Sequence, residues 1–155
     1  MRKILSVSFI FCVLLTSCFI PRSVNKKADK SLSGTEVKFK KLMNESFAKN
    51  YINADVITYV QFYDATPNKM EYLKIPKGHL AFQVIPLNGS AQPNALGGGA
   101  GGYHVFIPKD KGSKIFNFNK GDKLKLRGGT YVTKIGGLGM AEETVNFKAT
   151  SVELE

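Results

Sequence analysis

The sequence predicts a mainly β domain: five strands closed into a small Greek-key barrel, preceded by one amphipathic helix, with a β-sandwich as the alternative. Three observations carry this expectation. Apolar residues alternate with period two in separate runs after Tyr51. Turn residues, chiefly glycine and proline, stand between those runs. A stripe with helical spacing, Phe39, Leu42, Met43 and Phe47, comes before them. An open sheet of five strands would expose one face and two edges, and closure into a barrel removes the edges.

Composition narrows the class. The 155 residues are 43% hydrophobic and 22% charged, which is ordinary globular usage and excludes a wholly disordered chain or a polytopic membrane protein. Two Cys and two His leave no room for a disulfide scaffold or a His/Cys metal cluster.

The chain opens on a targeting segment. Met1-Arg2-Lys3 is a basic start, and Ile4 to Leu15 is a largely apolar run too short for the ~20 residues that span a bilayer. The run ends Leu15-Thr16-Ser17-Cys18, which resembles the lipobox of bacterial lipoproteins: an aliphatic residue, two small residues, then Cys. That resemblance implies cleavage between Ser17 and Cys18 and a diacylglyceryl group on the Cys18 sulfur. Residues 1–17 are then the signal peptide. Their removal leaves 138 of the 155 residues and takes away Arg2 and Lys3, so the net charge falls from +10 to +8. Cys12 leaves with the signal and Cys18 is consumed by lipid, so no free thiol remains. Acyl chains contribute about 0.8 kcal/mol per buried CH₂, and two or more give stable anchoring. Phe19, rather than Asp, follows the Cys, which tilts the expected address toward the outer membrane or cell surface and away from the inner membrane.

Residues 18–32 are polar, basic and aperiodic, and read as a flexible tether. Arg22, Lys26, Lys27 and Lys30 are available to anionic headgroups at about 1 kcal/mol each. Residues 33–50 read as the amphipathic helix, opened by a capping box in which Ser33 and Glu36 satisfy each other's amides.

Residues 51–155 read as the barrel. Ala54, Val56, Thr58, Val60 and Phe62 alternate with other large side chains in a first strand. Leu80, Phe82 and Val84 follow in a second, bounded by Gly78 and Pro86. Tyr103, Val105 and Ile107 mark a third, ending at Pro108. Lys120-Gly121-Asp122 is a turn, and Leu124 and Leu126 point inward from a fourth strand that continues through Gly128-Gly129 to Tyr131 and Val132. Val145, Phe147, Ala149 and Ser151 alternate with Asn146, Lys148, Thr150 and Val152 in a fifth. A short extra strand is expected around Tyr72 and Ile75.

Two groups of segments resemble small bacterial OB-fold proteins, related in fold to tRNA-anticodon-binding-like domains and including lipoproteins. One runs from Ala54-Asp55-Val56 through His79-Leu80-Ala81-Phe82-Gln83. The other is Lys120-Gly121-Asp122-Lys123-Leu124-Lys125-Leu126-Arg127-Gly128 followed by Phe147-Lys148-Ala149-Thr150. The departure is residues 108–119, where such folds carry a helix. Pro108, Gly112 and Asn117 argue against a long one here.

Chemistry-bearing patterns are few. Gly97, Gly99 and Gly102 formally satisfy G-x-G-x-x-G, but a strand follows where dinucleotide binding needs a helix N-terminus, so residues 88–102 read as a long flexible loop. His79 and His104 would need help from Asp64 and Glu71 to hold zinc, and no spacing motif joins them. Glu142-Glu143 are adjacent and do not face each other across a substrate. The reading is a non-enzyme without cofactor or metal. The strongest surface feature lies in residues 109–134, where eight cations stand against Asp110 and Asp122, with aromatic residues interleaved. Lys123, Lys125 and Arg127 share one face of their strand, with Tyr59 or Tyr131 expected nearby. Asp122 is the sole acidic partner nearby in sequence, so the stripe reads as a candidate surface for an anionic ligand, and equally as a solvated exterior. The expected partners are the membrane, through Cys18, and a protein or anionic glycan. Single-stranded nucleic acid bound outside the cytoplasm is the alternative.

Overall fold

A computed structural model describes residues 22–65, 75–89, 92–93, 100–137 and 140–155. The signal segment, Cys18, Glu71, Tyr72 and Gly97 to Gly99 lie outside these residues. The barrel strands are β1 (Val56–Asp64), β2 (His79–Pro86), β3 (Tyr103–Pro108), β4 (Lys123–Gly137) and β5 (Met140–Leu154). Each coincides with an expected strand, and β4 and β5 run further than expected, forming one long hairpin that ends at the Gly137–Met140 pair.

Pairing closes the sheet. β1 bonds to β2 and β4, β2 to β3, β3 to β5 and β5 to β4, giving the circuit 1-2-3-5-4-1. All contacts are antiparallel except β3–β5, where Val105 and Phe106 pair with Phe147 and Lys148 in parallel. This is the OB-like Greek-key barrel, and it removes the β-sandwich alternative. Between β3 and β4 there is no α-helix, only a 3₁₀ turn at Ser113–Asn117 that inserts buried Ile115 into the core. Gln92–Pro93 pairs with Ala100–Gly101 within the glycine-rich loop.

Period-two burial fills the barrel. Val56, Thr58, Val60 and Phe62 are buried along β1 while the residues between them are half-exposed. Phe82, Val84, Val105, Ile107, Leu124, Leu126, Phe147 and Val152 complete the same core. The two ends are closed by different segments. Phe39 packs against Tyr103 and Phe147 at ring separations of 5.5 and 6.1 Å. Phe118 packs edge-on against Phe62 at 5.8 Å, at the end near the Asn119–Asp122 turn.

The expected continuous helix is corrected. Residues 33–50 hold two single-turn helices, α1 (Phe39–Leu42) and α2 (Glu45–Ala48), then a 3₁₀ turn at Lys49–Tyr51. Two long-range contacts and one local cap explain the break. Ser33 Oγ donates to Asp55 at 2.9 Å, and Glu36 is held in a parallel bridge with Ile57, so the capping box does not form. Asn44 caps α2 by accepting from the Ser46 amide at 3.0 Å, which starts a new turn where the old one would have continued. Phe39, Leu42 and Met43 are buried as expected, but Phe47 is 46% exposed, and Ala48 takes the inner position beside Ile52 and Val132.

The tether is also corrected for residues 22–32. Arg22–Ser23 pairs with Lys134 and Thr133 of β4. The Val24 amide donates to Val132 at 2.9 Å, and Asn53 Nδ2 donates to the Lys26 carbonyl at 2.8 Å. These residues are docked along the barrel, because the outer edge of β4 offers unpaired backbone groups there.

Alternation in β5 slips once. Phe147 and Ala149 face inward, but so does Val152, because the β4 register jumps from Arg127↔Ser151 to Gly128↔Ala149. Thr150 is the extra residue of this bulge, and its hydroxyl donates to the Arg127 carbonyl at 3.1 Å. Ser151 therefore does not share the inner face, contrary to expectation. The bulge faces Gly128, whose φ is +153° and where a Cβ would lie 2.1 Å from the Lys148 carbonyl oxygen. At Gly129 a Cβ would meet backbone atoms of Tyr51 and Ala54 at 2.6 Å.

These contacts set the expected mutational profile under chemical denaturation. Gly129→Ala should destabilise by about 3 kcal/mol, since backbone cannot move aside as a side chain does. Gly34→Ala, with φ +74° but open space around it, should cost only about 1 kcal/mol. Thr58→Val should stabilise by about 1 kcal/mol, because the buried Thr58 hydroxyl has no hydrogen-bond partner.

Candidate binding surface

β4 sends Leu124 and Leu126 fully into the core and Lys123, Lys125 and Arg127 to the outside. The three cations share a face, as expected. They are not unpaired. Lys123 forms an ion pair with Glu155, and Lys125 lies 3.9 Å from Glu153. Arg127 makes two bonds to Asp55, Nε to Oδ1 at 2.8 Å and Nη2 to Oδ2 at 2.6 Å. Asp122, the acid near in sequence, instead accepts from the Asn119 amide at 2.7 Å and closes the turn.

The bidentate pair is the one with directional chemistry. The Arg127 hydrogen bonds hold the Asp55 carboxyl below the usual carboxylate range against the opposing effect of desolvation, with Ser33 adding to the lowering. Arg127 is pushed up in turn by its bonds to Asp55. Asp55 precedes β1 and Ser33 precedes α1, so this exposed cluster also ties the N-terminal segment to β4.

Missed acids were legible through pairing. Glu153 and Glu155 repeat with period two at the end of β5, in antiparallel register with Lys125 and Lys123. Opposite charges placed directly across a ladder attract. Sequence neighbours alone do not reveal this, because the partners are about 30 residues away by the numbering.

The two tyrosines separate. Tyr59 stands opposite Lys125 on β1, with the Lys123 ammonium 5.5 Å from its ring centre. Tyr131 lies four residues beyond Arg127, past the glycine pair, and packs edge-on against Phe106 at 5.6 Å. Tyr59 joins the stripe and Tyr131 does not.

Tyr59 also walls a cavity of about 450 Å³. Val37, Phe39 and Pro86 give it an apolar lining, and Glu36, Lys38 and Lys40 surround it. Its size is that of a small-molecule site. Among the described residues Lys38 and Lys40 have no ion-pair partner, which distinguishes them from the neutralised stripe.

The histidines stand apart. His79 pairs with Pro108 and His104 with Gln83, four positions further along the β2–β3 ladder. His104 Nε2 lies 3.2 Å from Gln83 Nε2, and burial pushes its pKa down. No group of three metal-ligating side chains occurs among the described residues. Comparison with family models, with curated proteins and with solved structures finds no match to this chain.

The Asp55–Arg127 pair predicts a pH dependence. A carboxyl whose folded pKa is depressed contributes stability above its unfolded pKa, about 3.9, and loses that contribution as pH falls through the folded value. Urea midpoints should therefore place the wild type above Asp55→Asn at neutral pH, with the gap closing only below about pH 4.

Proposed function

We propose that the chain is a lipid-anchored cell-envelope protein whose OB-like barrel is a non-catalytic binding module for a protein or an anionic glycan held near the membrane. The observation that carries this reading is the run Leu15-Thr16-Ser17-Cys18 after a basic start and a short apolar core. Cys18 holds the lipid, and the outer membrane or cell surface is the favoured address.

Two features support the choice of partner. The cavity beside Tyr59 combines apolar walls with Lys38 and Lys40, which suits a ligand with a flat or apolar body and a negative group. The stripe of Lys123, Lys125 and Arg127 already has acidic partners. Cations so compensated release few counterions from a phosphate backbone, and this weakens the nucleic-acid reading.

Cys18→Ala tests the anchor. The variant should lose acylation and move from the membrane fraction to the soluble fraction of its host. A variant that stays membrane-bound and is processed like wild type overturns the reading.

A further inference from the structure

We propose that the cavity beside Tyr59 binds a carboxylate-bearing sugar of an anionic glycan, with the carboxylate held by the Tyr59 backbone amide, Lys38 and Lys40. The inference rests on the reading of the barrel as a binding module and gives that module a site and a ligand class.

One rung of the sheet stands open at this cavity. Backbone groups on one edge of a strand recur every second residue, so Ile57, Tyr59 and Gln61 present theirs on the same edge of β1. Ile57 donates to the Thr35 carbonyl at 2.9 Å and accepts from the Val37 amide at 2.8 Å. Gln61 is paired with Ile85 of β2. Tyr59 falls between them. The bridge to the N-terminal segment stops at Ile57 and the β2 ladder stops at Val60↔Pro86, so among the described residues neither Val37 nor Leu87 takes the Tyr59 amide proton. Both flanking segments turn away there for local reasons. After Lys38 the chain enters α1, and after Pro86 the Gly89 amide folds back onto the Pro86 carbonyl at 2.9 Å, with Asn88 at φ +57°. Val37, Tyr59 and Leu87 all line the cavity, so the unpaired donor opens into it.

Charge selects a carboxylate. Lys38 and Lys40 also line the cavity, and neither belongs to an ion pair among the described residues. Two ammonium groups against the Glu36 carboxylate leave one net positive charge. A single carboxylate complements that charge, whereas a phosphate monoester, at about −2, exceeds it. The amide and both ammonium groups are donors, and a carboxylate accepts at each of its two oxygens.

Shape separates a sugar from a peptide. An extended peptide that adds to β1 needs open rungs in succession, and Ile57 and Gln61 on either side of Tyr59 are taken. A sugar ring needs only one. Val37, Phe39 and Pro86 offer walls to its C–H face, while Glu36 and Asn88 accept from and donate to its hydroxyls.

The test uses the full-length lipidated protein in detergent micelles, isotope-labelled at its tyrosine amides and titrated with a short galacturonic acid oligomer. The methyl ester of that oligomer and an oligoglutamate peptide of equal charge are the comparison probes. The expected result is saturable binding of the oligomer that moves the Tyr59 amide resonance, with the methyl ester bound about tenfold more weakly. Lys38→Gln combined with Lys40→Gln should weaken the oligomer by a similar factor at an unchanged unfolding midpoint. Should that variant fold poorly, the ester comparison reads the same contact in the wild type. Equal affinity for oligomer and ester overturns the carboxylate site. Oligomer binding that leaves the Tyr59 amide unmoved overturns the site and leaves the binding module standing. Oligoglutamate that moves the amide where the oligomer does not bind overturns the glycan and leaves a protein-binding module. Failure of both acidic probes to bind overturns the site, and the binding module with it.

Discussion

Backbone lies against backbone where residues 51–54 cross β4 at Gly129, and much of the molecule is arranged around that approach. No Cβ fits there, since the Tyr51 carbonyl and the Ala54 backbone would both lie 2.6 Å away. The close approach lets Thr130 donate to the Ala48 carbonyl at 2.6 Å and brings Ala48 and Ile52 against Val132. It also sets the start of β1, so that Asp55 reaches Arg127 across the ladder. Beside it, Gly128 accommodates the bulge that turns β5 and lets it pair with both β3 and β4. A pair of glycines thus serves two purposes: one admits the N-terminal segment, the other admits closure.

The N-terminal segment is consequently part of the fold. Val37, Phe39, Leu42, Met43, Tyr51 and Ala54 belong to the same buried cluster as the barrel interior. Gly34 donates to the carbonyl of Asp55, just before β1, at 2.8 Å, and Val37 donates to the Ile57 carbonyl at 2.8 Å, where β2 does not cover β1. The cavity beside Tyr59 lies where β2 leaves β1 and residues 36–40 take its place. The cavity therefore depends on the segment whose apolar stripe predicts a single helix.

The strands were legible because each buries one face, and alternation of Leu124 with Lys125 states which face. The lack of a long helix before β4 was legible from Pro108, Gly112 and Asn117, though the 3₁₀ turn that buries Ile115 was not. The N-terminal segment was not, because what breaks its helix is long-range: Ser33 answers to Asp55 and Glu36 to Ile57, and neither partner is visible in a local window. The same reason hid Glu153 and Glu155 from the reading of the basic stripe. Position was predictable for Lys123, Lys125 and Arg127, since period two fixes a side chain's face. Charge balance was not, since it depends on the strand across the ladder. Tyr131 shows the remaining gap: a shared face does not make a shared site when two glycines lie between.

Native-state hydrogen exchange at the amides of Val24, Gly34 and Val37 tests most directly that residues 22–55 are an integral part of the barrel. Their acceptors are the carbonyls of Val132, Asp55 and Ile57. If the segment is built into the fold, the Gly34 and Val37 amides exchange on the timescale of the β1 amides, and Val24 is clearly slower than an unprotected amide. Exchange of all three at the rate of an unstructured chain, beside fully protected β1 amides, would contradict the account and detach residues 22–55 from the barrel.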